Sequence, residues 1–294
     1  MNFKEFTDSI AGVLQRRLGE NHTVTVTEVL KNNDIRLTGI VIMEESDNVY
    51  PTIYLEEPYR QYQDGASIQR IVEEILTLYE KHAHNIKLNM DFFRDFSRIE
   101  DRIFHKLVNY DKNREQLLDV PHFRWHNLAV IFYYMMEDAT VGRASILIHN
   151  NHLDLWGQAA EEVYRTAQQN MRRHMPELLL PMSELLEELM GVQVEERELS
   201  FYVLTNKDKM FGASALLYTE QMKRLAYRLQ SDLLILPSSV HEVLLLPDDH
   251  DREYDFYRQM VQEVNATQVD PEEILSDSLY RYDREKAEIE EIFA

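Results

Sequence analysis

The sequence predicts an α+β fold: antiparallel sheets built from hairpins, with amphipathic helices packed against them. Three observations carry this. Leu233-Leu234-Ile235-Leu236-Pro237 and Val243-Leu244-Leu245-Leu246-Pro247 are short apolar runs, each closed by a proline, and the compact segment Ser238-Ser239-Val240-His241-Glu242 separates them. That is the pattern of a buried strand hairpin. Nearer the start, Val24 and Val26 alternate with threonines, Asn32-Asn33-Asp34 supplies turn chemistry, and Ile35, Leu37 and Ile40-Val41-Ile42 resume the strand pattern, so a second hairpin is expected. Between and around these runs, apolar residues recur at helical spacing.

In chain order, Phe3, Phe6, Ile10, Val13 and Leu14 form the first helical stripe, with Gly19 where a left-handed cap would sit. Residues 49–55 offer a third strand to the early hairpin. Ile68, Ile71, Val72, Ile75 and Tyr79 make a second helix. A small lobe over 1–89 and a larger one over 90–294 are the expected domains. In the larger lobe, residues 90–103 have a mixed period and His122-Phe123-Arg124-Trp125-His126 is an aromatic patch. Leu128 to Met136 and Ala144 to Ile148 read as an antiparallel pair turning near Asp138 and Gly142. A single stripe from Leu153 through Trp156, Ala160, Val163 and Ala167 to Met171 predicts one helix. Pro176 to Pro181 reads as a break, followed by a short acidic helix capped by Ser183 and ended by Gly191. Phe201 to Leu204 and Gly212 to Leu217 are strand candidates. Thr219 is placed to cap a helix carrying Met222, Leu225 and Leu229, and a further helix carries Tyr257, Met260, Val261 and Val264. Pro271-Glu272-Glu273 should start a last helical turn before Leu279 to Tyr282 and a charged tail.

The 294 residues, 44% of them hydrophobic and 28% charged, suffice for a sizeable core without staples. A formal charge of −21 opposes direct nucleic-acid binding and attachment to anionic membranes, and favours basic partners or cations. The absence of cysteine excludes disulfides, thiolate metal sites and a cysteine nucleophile. The polar opening and the lack of any apolar run near the roughly 18 residues of a membrane span lead us to expect a soluble, cytoplasmic protein.

Five segments together are distinctive: Asn109-Tyr110-Asp111-Lys112-Asn113; Gly142 to Ile148 with Asn150 to Trp156; Phe211-Gly212-Ala213-Ser214; Ile235 to Glu242; and Leu275-Ser276-Asp277-Ser278-Leu279-Tyr280. In this combination the chain resembles, over nearly its whole length, an uncharacterised bacterial family, a domain of unknown function common in anaerobic clostridia-like bacteria. A more distant likeness is to another uncharacterised bacterial family with a late strand hairpin. Neither resemblance implies an activity or supplies site residues.

Candidate chemistry is sparse. Ser238, Ser239, His241 and Glu242 include the residue types of a nucleophile, a base and an orienting carboxylate. The same residues suit a turn equally well, with serines bonding turn amides and His241 a carbonyl. Asp248, Asp249, His250, Asp251 and Asp255 could offer oxygens to magnesium or calcium, but the calcium-loop glycine and terminal glutamate are missing. His149 and His152 lack the further ligands zinc needs, and an Asn or His cap at a helix start is the competing role. Asn150, His152 and Trp156 are candidates for a binding surface, and Phe123, Trp125 and Trp156 for stacking, against a plain core role. No Walker or dinucleotide glycine loop, Gly-x-Ser-x-Gly elbow or His-Glu-x-x-His helix occurs. The expectation is a binding or regulatory protein without catalysis or cofactor, whose partner is another protein. The alternatives are a hydrolase or phosphoryl-transfer enzyme using His241 and Glu242, and an acidic nucleic-acid mimic that blocks a basic protein.

Overall fold

A computed structural model of the chain describes residues 1–44, 50–82, 90–138, 142–190, 201–248 and 254–292. The fold is α+β, with three antiparallel sheets and helices packed against them. The chain divides into two compact units, one of Met1–Lys31, Ile35–Phe92 and Glu137–Arg143, the other of Asn32–Asp34, Phe93–Met136 and Ala144–Ala294.

The first unit opens with α1 (Phe3–Leu18). Its start is fixed by a capping box: the Glu5 N–H donates to the Asn2 side chain at 2.9 Å, and the Asn2 N–H donates to the Glu5 carboxylate at 3.0 Å. Gly19 ends the helix at φ 75°, ψ −164°, a positive-φ cap outside the left-handed helical basin, and its N–H still reaches the Gln15 carbonyl. Strands β1 (His22–Leu30) and β2 (Arg36–Glu44) pair in register from His22↔Glu44 to Leu30↔Arg36, and the short β3 (Thr52–Tyr54) continues the sheet beside β2. Helix α2 (Glu56–Gln63) was not foreseen, because Pro58 and its polar neighbours interrupt any apolar stripe. Helix α3 (Ile68–His82) follows the expected spacing. The core joins Phe6, Ile10 and Leu14 of α1 to Ile40 and Ile42 of β2 and to Ile71 and Ile75 of α3, all fully buried. Each such side chain contributes about 1.5–3 kcal/mol of transfer free energy.

The second unit carries two sheets. After the short α4 (Phe96–Ile99), strand β4 (Ile103–Asn109) pairs along one edge of β6 (Leu128–Asp138). Strands β5 (His122–Trp125) and β7 (Gly142–Leu147) also pair with β6. Neither β4 nor β5 was predicted. β4 is buried at all but one position, so it lacks the alternation that betrays a half-exposed strand. The expected β6–β7 pair forms, while the residues of its turn from 139 to 141 lie outside the described ones.

The single helix expected over Leu153–Met171 is two, α5 (Asn150–Trp156) and α6 (Ala160–His174). Gly157 adopts a left-handed conformation, φ 62° and ψ 33°, and stops the first. The segment read as a break is strand β8 (Glu177–Pro181), where Pro181 is tolerated because the strand lies at the sheet's edge. Helix α7 (Met182–Met190) starts before Ser183, which is buried in its first turn; Gly191 lies outside the described residues. Strand β9 (Tyr202–Asn206) agrees with expectation, but Gly212–Leu217 is a buried 3₁₀ helix and not a strand. Thr219 occupies the cap position of α8 (Glu220–Leu229), although its side chain makes no capping hydrogen bond.

The predicted late hairpin is β10 (Asp232–Leu236) and β11 (Val243–Asp248), paired from Asp232↔Asp248 to Leu236↔Leu244. It is central to a six-stranded sheet of order β13-β12-β10-β11-β9-β8. Helix α9 (Tyr254–Thr267) follows, then a turn at 271–273 in place of the expected helical turn, then β12 (Tyr280–Asp283) and β13 (Glu288–Glu291). Leu233, Leu234, Ile235, Leu245 and Leu246 are all buried, so both hairpin arms belong to the core.

Candidate functional site

The loop joining β10 to β11 is held from two sides. On one, the Leu275 and Ser276 N–H groups donate to the Ser238 and Pro237 carbonyls, and the Val240 N–H donates to the Glu273 carbonyl at 2.9 Å. Ser239 forms an isolated bridge with Ile274. On the other side, the Ala213 N–H donates to the Val240 carbonyl, and Thr205 Oγ1 donates to the His241 carbonyl at 2.8 Å. Gly212 is required here: a Cβ would come within 2.6 Å of the His241 carbonyl oxygen and 2.7 Å of the Asn206 nitrogen, both backbone atoms.

His241 is the centre of this junction. Its Nδ1 accepts from the Phe211 N–H at 3.2 Å, its Nε2 lies 3.4 Å from Glu273 Oε1, and its ring stacks on Phe211 with centroids 5.5 Å apart. Phe211 sits at φ 52°, a costly conformation for a bulky side chain. Its ring is gripped by His241, by Tyr133 edge-on at 5.1 Å and by the Lys106 ammonium 4.2 Å above it.

These contacts determine what the loop can do chemically. In the neutral ring Nδ1 is the acceptor, so Nε2 carries the proton and directs it at Glu273. No imidazole lone pair is left to take a proton from a hydroxyl. Ser239 Oγ accepts from the His241 backbone N–H at 3.0 Å, and so serves the turn. Ser238 lines an apolar groove of about 240 Å³ with Leu236, Leu244 and Met260. Glu242 is half-buried, and the carboxylate facing His241 comes from Glu273.

A second layer of amides holds the segment that supplies Glu273. Asn33 Nδ2 donates to the Pro271 and Ile274 carbonyls, and Asn32 Nδ2 donates to that of Glu272. Asn109 Nδ2 donates to the Leu275 carbonyl, and Asn265 Nδ2 donates to the Ser276 carbonyl and to Asp277. Asn127 Nδ2 donates to the Ser276 and Ser278 hydroxyls, and the Tyr280 hydroxyl donates to Asn127 Oδ1. Burial pushes the Asp277 carboxyl up, but hydrogen bonds from Asn265 and Lys112, with the Lys112 charge, outweigh it and hold the group below its ordinary range. Side-chain amides here replace the ladder that an irregular segment lacks.

Four of the five distinctive segments thus meet in one place: Asn109–Asn113, Phe211–Ser214, the Ser238–Glu242 loop and Leu275–Tyr280. The fifth does something else. His149 occupies the N-cap of α5: its backbone carbonyl accepts from the His152 N–H at 3.0 Å, while the His149 N–H donates to His152 Nδ1 at 3.1 Å. His149 Nδ1 is also 2.8 Å from Asp119. Burial, reinforced by the neighbouring His149, lowers the pKa of His152, with Asp119 opposing. Trp156 is buried, donates Nε1–H to the Phe93 carbonyl at 2.7 Å and stacks on His152. Asn150 is exposed and its side chain reaches the Leu118 carbonyl.

Of the acidic cluster, Asp248 is buried and accepts from the Tyr254 hydroxyl at 2.8 Å, while Asp255 is exposed in the first turn of α9. Asp249, His250 and Asp251 lie outside the described residues. No group of three or more His, Cys, Asp or Glu suited to a metal occurs among the described residues. Glu273, Lys106, Asn127 and Asn265 are participants that sequence reasoning missed; their roles arise only from contacts between distant segments, which leave no local pattern. No described helix is long and apolar enough to cross a membrane. No curated protein and no solved structure matches the chain. Its residues 3–284 do match a family model, and the chain belongs to that family, DUF5688, a family of unknown function.

Proposed function

We propose that this is a binding or regulatory protein without catalytic turnover, a bacterial cytoplasmic protein whose partner is another protein bearing basic charge. One observation supports the reading above the rest: the imidazole and the Ser239 hydroxyl of the most enzyme-like segment are committed to backbone and to Glu273. The formal charge of −21 supports the basic character of the partner. The test joins recovery of partners from a native lysate at physiological salt to an activity screen of the purified protein. Stoichiometric recovery of a basic protein without turnover is expected. Turnover with no recovered partner overturns the reading.

A second reading has one observation in its favour. His241 is partly exposed and is paired with a carboxylate, as an oriented base is, and it would serve a hydrolase or phosphoryl-transfer site once a substrate displaced the Phe211 N–H from Nδ1. The variant His241→Ala separates the two. As a structural residue its loss strips the acceptor from the Phe211 N–H and the stacking partner from a strained backbone, costing about 1–3 kcal/mol in urea unfolding. As a catalytic residue its loss abolishes turnover and leaves the unfolding midpoint nearly unchanged.

A further inference from the structure

The first unit has a cleft that no contact described so far fills. It measures about 410 Å³ and is lined by Pro51, Thr52, Ile53 and Tyr54 on one side, and by Ile71, Ile75 and Leu78 of α3 on the other, with Glu57 and Glu74 also contributing. Successive side chains of a strand point to opposite faces, so a cleft lying on one face of β3 would touch every second residue. This one touches all three residues of β3 and Pro51 before it, and therefore runs along the strand's edge.

That edge is open. β3 ends its sheet, with β2 on one side and no strand on the other among the described residues. The register sets which backbone groups face outward. The Leu55 N–H donates to the Thr38 carbonyl at 2.9 Å, directly opposite it, and Ile53 opposite Ile40 is the next hydrogen-bonded pair. Thr52 and Tyr54, alternating with these, turn their N–H and C=O groups away from β2. The far wall is apolar, and Leu78 is 47% exposed.

We propose that this cleft takes an extended peptide segment of a partner protein, added antiparallel or parallel to β3 as a fourth strand. Unpaired strand groups select an extended backbone, and the α3 wall selects apolar side chains on alternate residues. The residues between them are lysine or arginine, because Glu57 and Glu74 line the cleft and the chain carries a charge of −21. Each of these glutamates has an exposed arginine partner on its own helix, Arg60 and Arg70. Such surface pairs exchange partners at little cost. The inference is independent of the His241 loop and holds whether or not the protein turns over a substrate.

The probe is a fluorescein-labelled hexapeptide alternating valine with lysine, titrated into the full chain by anisotropy and by amide chemical shifts. Saturable binding with shifts centred on Thr52 to Tyr54 is expected. Leu78→Ala, at an exposed position, removes wall contact without changing the charge of the cleft. Thr52→Pro removes an outward N–H without touching the β2 ladder. Methylating alternate peptide nitrogens removes the probe's own donors. Each change should weaken binding about tenfold, the order expected for one or two lost hydrogen bonds or a buried apolar contact. Undiminished binding to Leu78→Ala, equal binding of the methylated peptide, or a concentration-dependent dimer that pairs β3 with β3 and excludes the peptide overturns the proposal.

Discussion

His105 on β4 is completely buried, with Nε2 2.8 Å from the Tyr218 hydroxyl and no partner for Nδ1 among the described residues. Tyr164 packs edge-on against the same ring. Burial lowers the His105 pKa from 6.5 to about 3, and the same desolvation raises the Tyr218 hydroxyl. The imidazole is thus neutral in the folded protein and titrates near its ordinary value in the unfolded chain. Between those two values the unfolded state binds the extra proton, so stability is full above about pH 6.5 and falls as the pH drops toward 3. From pH 7 to pH 5 this one group should remove on the order of 2 kcal/mol. Urea unfolding of the wild type and of His105→Gln at the two pH values isolates it, since glutamine keeps a hydrogen-bonding group for Tyr218 but does not titrate. Equal losses in the two proteins would rule the effect out. Nothing local in Ile103-Phe104-His105-Lys106 marks the histidine, because its burial comes from α6 and the segment at Tyr218.

At the scale of elements, the sequence was readable where side-chain periodicity and turn chemistry agree. The β10–β11 hairpin, the β1–β2 hairpin and helices α1, α3 and α9 all have such agreement. It misled where one signal stood alone. The apolar run Ala213 to Leu217 suits strand and helix equally, and it is the meeting of Gly212 with β9 and the His241 loop that coils it. The stripe from Leu153 to Met171 keeps helical spacing across Gly157, yet that glycine is left-handed and donates its N–H to the Asp154 carbonyl at 3.3 Å. Alanine at Gly157 would place a Cβ where the left-handed conformation disfavours it, at a cost of about 1–2 kcal/mol. A thermal melt of Gly157→Ala should fall below wild type, with Gly157→Asn between them. If alanine melts at or above wild type, the stop between α5 and α6 is not enforced by this backbone. The loop Ser238–Glu242 could be singled out from sequence as polar and compact. Its partners Phe211 and Glu273 could not be assigned to it, since a ring stack and a facing carboxylate leave no spacing to find.

For the molecule as a whole, the dominant fact of composition is a formal charge of −21. Exposed or partly exposed pairs such as Lys286–Glu290 and Arg281–Glu290 offset it only locally. The excess carboxylates repel one another in the folded state more than in the expanded chain, so screening favours folding. The Debye length shrinks from about 30 Å at 0.01 M salt to about 8 Å at 0.15 M. The melting temperature should therefore rise by about 1–2 °C across that range, a gain on the order of 1 kcal/mol for a chain of this size. Association with a basic partner of the kind proposed should respond in the opposite sense, because the same field that strains the fold would draw such a partner in. Calorimetry and binding titrations over one sodium chloride series read both slopes. Opposite signs identify a shared carboxylate field; a fold that gains from salt beside a complex indifferent to it would show that the acids serve solubility and that the partner is held by apolar contact and backbone pairing alone.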